Sequence, residues 1–247
     1  MHTLTILAGQ DKSGAPEGFD ALTLQTGTLY TIVGNTGSGK SRLIKDVEQL
    51  ADGDSATGRR VLIDGAPIER RQRQRLSAGL MAHLSQNMRF ILDTTVAEFL
   101  ALHAQCRQKN IDINAVIALA DSITPEPVPP SQNLNLLSGG QTRALMIADI
   151  ALICDSPVVL IDEIENAGID KERALTLLCR QDKLVLVVTH DVHTALMAPR
   201  RIVMANGAVQ RIVARSSEEE TLFEALSTDY QLQQKRRQLL REGSKLI

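Results

Sequence analysis

The sequence predicts an α/β fold built around a largely parallel sheet. Short apolar runs alternate with longer segments of helical periodicity, which is typical of helices that cross between parallel strands. The chain has 247 residues and 43% of them are hydrophobic, which suits one large or two small α/β domains with a sizeable core. Because aromatic residues are only 2% and tryptophan is absent, we expect a core of leucine, isoleucine, valine and alanine.

The first third of the chain is predicted to be rich in strands. Strands are expected at TLTILAG, ALTLQT and TLYTIVG, with a turn at Thr26-Gly27 between the last two. KSRLIKDVEQLA has helical spacing. Its apolar face consists of Leu43, Val47 and Leu50. RRVLIDGAPI predicts a strand with a turn at Asp64-Gly65, and GLMAHLSQ predicts a further strand.

The remainder alternates helices with strands. Residues 94–120 are predicted to be helical, as TVAEFLALHAQC and then INAVIALA, and a proline-rich loop follows. A helix over about 140–154 leads into the strand PVVLIDE, and another helix precedes LVLVVTHD. RRIVMANGAVQRIVA predicts a hairpin that turns at Asn206-Gly207. The charged tail from Ser216 is predicted to be helical.

Composition argues against several classes of protein. The formal net charge is −2, so no overall field attracts nucleic acid or an anionic membrane. RRQRQR, residues 70–75, could contact an anionic partner, but we favour the solvated end of a turn before the next strand. No apolar run approaches the ~20 residues that span a bilayer, and the N-terminus lacks a secretory signal pattern. Three cysteines are interpreted as reduced core thiols of a cytoplasmic protein: Cys106, Cys154 and Cys179.

A glycine-rich loop joins the third strand to the first helix. GNTGSGKS, residues 34–41, has the P-loop pattern, in which successive backbone N–H groups surround phosphate oxygens. The positive end of the helix that follows strengthens this attraction. We expect Lys40 on the β- and γ-phosphates and the Ser41 hydroxyl on Mg²⁺. The loop therefore predicts a nucleotide site formed by Gly34, Asn35, Thr36, Gly37, Ser38, Gly39, Lys40 and Ser41.

Two acidic residues end the strand PVVLIDE. Asp162 at the strand end can hold the Mg²⁺ shell, directly or through water. Glu163 can orient or deprotonate an attacking water. The alternative is a buried strand with ordinary acidic residues at its mouth, and the P-loop makes us favour the catalytic interpretation.

LSGGQ, residues 137–141, opens a predicted helix and offers a second anion site from free N–H groups and a hydroxyl. One small domain rarely needs two phosphate sites for one nucleotide, so we expect the second to serve the nucleotide of another copy. Here the sequence resembles the ATP-binding cassette (ABC) ATPases, whose signature motif is LSGGQ. The resemblance covers about residues 1–213. It rests on five motifs in order: GNTGSGKS, Gln86 in LSQNMRF, LSGGQ, VVLIDE and VVTHD.

The resemblance implies a role for each motif. Besides Lys40, Ser41 and Asp162, Gln86 would sense the metal and the attacking water. Glu163 would be the general base and His190 would contact the γ-phosphate. Asp170 is the best candidate for an aspartate that crosses a dimer interface. The partner's ATP would be contacted by the signature residues Ser138, Gly139, Gly140 and Gln141. Two ATP molecules with Mg²⁺ would then lie between two subunits, most simply in a homodimer.

The same resemblance implies the architecture of a P-loop NTPase core with an antiparallel β-subdomain and an inserted helical subdomain of about residues 87–136. The ABC ATPase domain would cover residues 1–215, and residues 216–247 would form a charged helical extension. We interpret this extension as a helix packed on its own domain, with a docking or dimerising element as the alternative. Its apolar stripe would consist of Leu222, Leu226, Leu232, Leu239 and Leu240.

Three departures indicate a divergent member. Residues 8–14 contain no aromatic residue that could stack on adenine, and Phe19 is close to the next strand. IENAGID follows Glu163 without the usual proline and places Asp170 one residue further out. The segment between LSGGQ and the Asp-Glu strand is slightly long. His190 and His193 could suggest a metal pair, but no further ligand cluster accompanies them.

Three functions are compatible with these motifs. The first is the ATP-hydrolysing subunit of an ABC transporter, docked on a separate membrane protein through a groove near Gln86. The second is a soluble ABC ATPase that powers assembly or remodelling of a protein or cofactor complex. The divergent segment before Asp170, the missing aromatic residue and the C-terminal helix favour it. The third is a non-hydrolysing ATP-gated scaffold, against which Glu163 argues.

Overall fold

The structure is a computed structural model, and it describes residues 1–86, 88–154, 156–166, 168–180 and 182–245. These residues contain ten strands and eight α-helices. The strands are β1 (Thr3–Leu7), β2 (Ala21–Gln25), β3 (Leu29–Val33), β4 (Arg60–Ile63), β5 (Ala66–Pro67), β6 (Met81–Leu84), β7 (Val158–Asp162), β8 (Leu184–Val188), β9 (Arg200–Ala205) and β10 (Ala208–Ala214). The helices are α1 (Lys40–Glu48), α2 (Arg73–Leu80), α3 (Val96–Cys106), α4 (Ile113–Asp121), α5 (Gly139–Leu152), α6 (Lys171–Arg180), α7 (Val192–Met197) and α8 (Ser217–Arg241). The predicted α/β class is confirmed.

A six-stranded sheet forms the centre, in the order β10-β9-β3-β8-β7-β6. All neighbours are parallel except the β9–β10 hairpin at one edge. Both faces of β7 and β8 are covered, which explains why VVLI and LVLVV are apolar at every position. Because the strands are parallel, β3, β8, β7 and β6 all end at one edge of the sheet, and this edge positions the site.

A second, antiparallel sheet has the order β2-β1-β4-β5 and covers one face of the central sheet. In β2, side chains alternate between exposed and buried, as expected for a sheet with one solvent-exposed face. Its buried side packs with Leu4, Ile6, Leu22 and Leu24 against α1 and the central strands. The strands predicted from TLTILAG, ALTLQT and RRVLIDGAPI are therefore present.

Helices α3 to α6 cover the opposite face of the central sheet, in a core that includes Val159, Ile161, Val185 and Val187. Helix α3 begins where Thr95 and Glu98 form a reciprocal capping box. Residue 87, where the predicted helical subdomain begins, lies outside the described residues, as do residues 246 and 247 of the tail. The division into subdomains and a C-terminal extension stays a prediction.

Three sequence expectations need correction. The first three residues of RRQRQR form an exposed turn as predicted, but its last three form the first turn of α2. No residue of this helix is fully buried, and only Leu76 and Leu80 pack against the core, so the apolar signal in the sequence is weak. Cys106 ends α3 and is exposed, whereas Cys154 is buried and Cys179 half-buried. The leucine stripe of α8 does not pack as a whole on the rest of the chain, because Leu222, Leu232 and Leu240 are exposed. No described helix is long and apolar enough to cross a membrane.

Candidate nucleotide-binding site

The carboxyl ends of four neighbouring strands bring the predicted catalytic residues together. The P-loop follows β3, Gln86 follows β6, Asp162 ends β7, and His190 follows β8. A cavity of about 350 Å³, here called the nucleotide cavity, lies at this edge. It is lined by Thr36, Gly37, Gly39, Lys40, Ser41, Arg42, Gln86, Asp162, Glu163, Val188 and His190. Residues far apart in sequence thus form one polar pocket.

Two glycines of the P-loop are required by close backbone approaches. A Cβ at Gly34 would lie 2.3 Å from the Met204 carbonyl oxygen, and one at Gly39 would lie 2.8 Å from the Gly207 Cα. Gly39 also has a φ of 104°, a conformation that favours glycine, directly before α1 begins at Lys40. The β9–β10 hairpin therefore packs directly behind the phosphate loop and limits its shape.

Lys40 is the buried cation of the pocket, whereas Arg42 is exposed. Its Nζ donates hydrogen bonds to the carbonyl oxygens of Gly34 at 2.7 Å and Asn35 at 3.1 Å, inside the curl of the loop. Burial lowers the pKa of Lys40, while the negative charges of Asp162 and Glu163 oppose this shift. The ammonium group thus lies in a desolvated position within range of both carboxylates, where a phosphate oxygen could replace the loop carbonyls as its partner.

Gln86 and Glu163 are in direct contact. The Gln86 Nε2 donates to the Glu163 Oε2 at 2.7 Å. Glu163 has a φ of 53°, so the chain turns sharply as it leaves β7, and its N–H donates to the Val188 carbonyl at 3.1 Å. The residue predicted as general base is thereby tied to β8 through its backbone and to the loop after β6 through its side chain.

His190 is exposed and lines the same cavity. The residues around it, 189–194, are here called the switch segment. Asp191 caps α7 by accepting a bond from the Thr194 N–H at 2.8 Å, and its own N–H donates to the Thr189 hydroxyl at 3.0 Å. The Thr189 hydroxyl also donates to Glu165. Hydrogen bonds on both sides of His190 thus define the path of its backbone.

The donor set suits a magnesium ion. Ser41, Gln86 and Asp162 supply hydroxyl, amide and carboxylate oxygens to one cavity, and oxygen is the ligand atom that Mg²⁺ prefers. Within the described part of the chain, no three residues of the types His, Cys, Asp and Glu form a metal cluster. A single carboxylate agrees with Mg²⁺ sites that are completed by substrate phosphates and water.

The signature segment, residues 137–141, lies elsewhere. Ser138 caps α5 and forms a capping box with Gln141, whose N–H donates to the Ser138 Oγ at 3.2 Å. The Ser138 hydroxyl donates to Glu126 at 2.6 Å. Gly139 and Gly140 line a different cavity of about 740 Å³, here called the signature cavity, which shares Gln86 with the nucleotide cavity. Within one chain, the signature segment does not line the P-loop pocket.

Comparison with known proteins decides the family. A family model described as "ABC transporter" matches residues 20–166. The chain is 50% identical over 227 residues to the uncharacterized ABC transporter ATP-binding protein MJ0121 of Methanocaldococcus jannaschii, covering 90% of this chain and 86% of that protein. This chain belongs to the ABC transporter ATP-binding family.

Other ABC proteins are more distant. The ATP-dependent lipid A-core flippase of Xanthomonas oryzae is 32% identical over 213 residues, which cover 80% of this chain but 34% of the flippase. The dimeric cassette MJ0796, bound to ADP and Pi in a post-hydrolysis state, has a TM-score of 0.63 at 21% identity and covers 85% of this chain and 98% of that one. For cbiO1 of Clostridium perfringens, part of the ABC transporter complex cbiONQ, the TM-score is 0.64 at 20% identity. The match covers 98% of this chain and 97% of cbiO1. The structural likeness shows the ABC cassette fold.

The contact of Arg143 with the loop after β6 was not predicted from the sequence. Arg143 lies on α5, two residues after the signature segment, and its guanidinium donates to the carbonyls of Gln86 at 2.9 Å and Ser85 at 3.3 Å. Its Nη1 is buried and has no hydrogen-bond partner among the described residues. Burial lowers its pKa, opposed by the charges of Asp162 and Glu165. Its place two residues after LSGGQ does not by itself predict this contact with the loop after β6.

The contact of Lys12 with the P-loop was also not predicted from the sequence. In the loop without an aromatic residue, the Lys12 Nζ donates to the Gly37 carbonyl of the P-loop at 2.6 Å. Phe19, the other residue considered for adenine, packs instead against the core between the two sheets. The loop that precedes β2 therefore presents a cation, rather than a ring, to the phosphate loop.

Asp170 and His193 have structural partners. The Asp170 carboxylate accepts a bond from the Arg173 N–H at 3.1 Å in the first turn of α6. His193 is buried and its Nε2 is 2.9 Å from the Glu172 Oε1. His193 therefore has a hydrogen-bond partner on α6, whereas the exposed His190 lines the nucleotide cavity.

Proposed function

We propose that this protein is the ATP-hydrolysing subunit of an ABC transporter and that two copies enclose two ATP molecules. Each ATP would lie between the P-loop of one copy and the signature segment of the other. The observation that carries this proposal is the separation of the two phosphate-binding segments, which line different cavities of one chain. A helix start with two glycines that lies outside the P-loop pocket is well suited to a partner's nucleotide.

Binding would use groups that are already oriented. Backbone N–H groups of the P-loop would surround the phosphates, and Lys40 would exchange its two loop carbonyls for phosphate oxygens. Arriving phosphate charge favours the protonated ammonium, which offsets the effect of burial on the Lys40 pKa. The loop therefore needs little rearrangement to bind a triphosphate.

Ser41, Asp162 and Gln86 would hold Mg²⁺, which when bound neutralises charge on the β- and γ-phosphates. For hydrolysis, Glu163 would accept the proton of the attacking water, and Gln86 would orient both the Glu163 carboxylate and that water. His190 would donate a hydrogen bond to the γ-phosphate. The partner's signature segment would supply N–H groups to the same phosphate and exclude water.

Hydrolysis would remove the γ-phosphate contacts that join the two copies, so the dimer would open. A membrane partner that contacts both copies would convert this opening into movement of a substrate. The protein would then act at the cytoplasmic side of the membrane, where ATP is supplied. The charge of −2 gives it no strong attraction for lipid, so a protein partner would hold it there.

The proposal is tested with Glu163→Gln. The amide cannot accept the proton of water, so turnover should fall about 10³-fold, while ATP and Mg²⁺ should now hold the chain as a dimer in size-exclusion chromatography with light scattering. Glu69→Gln, an exposed substitution, serves as control and should hydrolyse ATP normally. A Glu163→Gln chain that stays monomeric with ATP and Mg²⁺ would contradict the shared site.

The transport role has a separate test. Native purification of the tagged protein from its own cells should recover a protein with several membrane spans. Recovery of a soluble metalloenzyme complex instead would favour the alternative role in assembly or remodelling and would leave the ATPase chemistry unaffected.

A further inference from the structure

One face of the C-terminal helix α8 is packed against the elements that follow the catalytic strands. Phe223, Ser227 and Tyr230 are spaced by four and three residues, which places them on the same side of a helix. The rings of Phe223 and Tyr230 stack on His193, with centroid distances of 5.6 and 5.0 Å. The helix is thus attached to α7, which begins two residues after His190.

Tyr230 also makes a hydrogen bond to the start of α6. Its hydroxyl accepts a bond from the Lys171 N–H at 3.1 Å. The first N–H groups of a helix have no partner within the helix, so this bond satisfies a donor that would otherwise lack one. Burial raises the pKa of Tyr230 to about 12, so the hydroxyl remains protonated throughout the physiological range.

The Lys171 side chain continues the connection. It is 7% exposed, and its Nζ lies 5.0 Å from the centroid of the Tyr230 ring, within cation–π range. The same ammonium forms an ion pair with Asp191. Burial opposes ionisation of Asp191, yet bonds from Lys171 and Thr194 hold its pKa below the usual value. Asp191 is therefore ionised at neutral pH and accepts the bond from the Lys171 side chain.

Asp191 connects this ion pair to the chemistry. It follows His190 directly and caps α7 through the Thr194 N–H at 2.8 Å and the Thr194 hydroxyl at 2.7 Å. Its position fixes the start of α7 and, with it, the peptide of His190. A displacement of Lys171 would remove the ion pair from the bonds that hold the Asp191 carboxylate and allow the His190 backbone to move.

We propose that Tyr230 is a positioning residue for ATP hydrolysis, which holds His190 in place through Lys171 and Asp191. The inference rests on the proposed ATPase function and extends it to a helix outside the catalytic pocket. Tyr230 does not touch the nucleotide cavity, so its contribution is to the geometry of His190 and not to substrate binding. Any partner that pulls on α8 would change the rate through this route.

The kinetic test compares two substitutions at Tyr230. Tyr230→Phe removes the hydroxyl and keeps the ring, whereas Tyr230→Leu removes both contacts with Lys171. We expect kcat to fall about 3-fold and about 10-fold respectively, since a small misplacement of a catalytic group lowers the rate and not the affinity. KM for ATP should be unchanged. Leu232→Ala, two residues on and exposed, is the control and should retain full kcat.

Lys171→Met provides an independent variant of the same route. It should lower kcat to the level of Tyr230→Leu, and the double variant should be no slower than either single variant, because both remove one connection. The proposal would be overturned if the fall in kcat of the double variant were the product of the two single falls. A rise in KM for ATP with kcat unchanged would also overturn it. Thermal unfolding of each variant identifies any that fail to fold, and Tyr230→Phe and Lys171→Met then decide the result.

A spectroscopic measurement separates this inference from the ATPase proposal. The imidazole NMR signals of His190, assigned with His190→Gln, should shift in Tyr230→Leu and Lys171→Met and stay unchanged in Leu232→Ala. If the His190 signals are the same in all variants, the positioning role is wrong even when the enzyme is active. A wild-type protein without ATPase activity would contradict the proposed function, while the His190 signals would still decide this inference.

Discussion

The P-loop and the signature segment are both glycine-containing helix starts, yet the structure surrounds them very differently. Around the P-loop, side chains from four strand ends line one cavity, with two cations, two carboxylates and a histidine. Around the signature segment, Ser138 is bonded to Glu126 and Gln141, and Gly139 lines another cavity. The first region has the groups for chemistry, whereas the signature residues themselves offer only groups for binding.

This difference shows how one chain can hold half of two sites. A helix N-terminus attracts anions whether or not catalytic groups are nearby. Where catalytic side chains converge on the anion, the site can react; where they do not, the helix can only complete a site on another molecule. Because Gln86 lines both cavities and Arg143 bonds its carbonyl, the two regions are still mechanically connected.

Among changes that test this comparison of the two regions, the largest effect is expected from a negative charge in the signature segment. An added Cβ at Gly139 has no atom within 4 Å, and an aspartate in the first turn of a helix is favourable, so Gly139→Asp should fold normally. It should nevertheless lower kcat about 100-fold by repelling the partner's phosphates. Steady-state ATPase assays check this, with Gly139→Ala as the uncharged control. Unchanged kcat would remove the signature segment from the reaction.

A smaller effect is expected from breaking the connection between the two regions. Arg143→Met keeps the buried stem and loses the bonds to the Ser85 and Gln86 carbonyls. Since Gln86 would then be held less firmly, kcat should fall about 10-fold with fluorescent ATP binding unchanged. Arg75→Met, an exposed arginine on α2, should have no effect. A loss of ATP binding instead would mean that Arg143 supports the P-loop and not Gln86.

The smallest effect is expected at the edge of the P-loop. Lys12→Ala removes an exposed cation that donates to the Gly37 carbonyl, and it should weaken ATP binding about 3-fold, as expected for a partly screened charge. Titration with fluorescent ATP at low and high salt measures this, and the difference from wild type should shrink at high salt. Lys45→Ala on α1 is the matched exposed control. Equal affinities for Lys12→Ala and wild type would exclude a contribution of Lys12.

Local patterns predicted most of the central sheet. VVLI and LVLVV are apolar throughout because both faces of their strands are covered, and GNTGSGKS identifies the loop between β3 and α1. Helix α2 could not be predicted in this way, since only Leu76 and Leu80 pack against the core and no residue of the helix is fully buried. Where tertiary packing supplies no periodic signal, sequence alone gives the wrong local structure.

Some residues of the candidate site could likewise be predicted from the sequence, and others could not. The motif residues could be predicted because their residue types and order carry the chemistry, and the structure brings Lys40, Gln86, Asp162, Glu163 and His190 to one cavity. Lys12, Arg143 and Tyr230 could not, because each acts through a backbone group: the carbonyls of Gly37 and Gln86 and the N–H of Lys171. Such contacts depend on packing distances between remote segments, which no local pattern records.

The most direct measurement mixes two inactive chains, one carrying Lys40→Ala and the other Gly139→Asp. Each alone should hydrolyse almost no ATP. If every site combines the P-loop of one copy with the signature segment of another, half of randomly formed dimers contain one intact site, and the mixture should recover about a quarter of wild-type activity. A mixture that is no more active than the sum of its separate components would contradict the shared site.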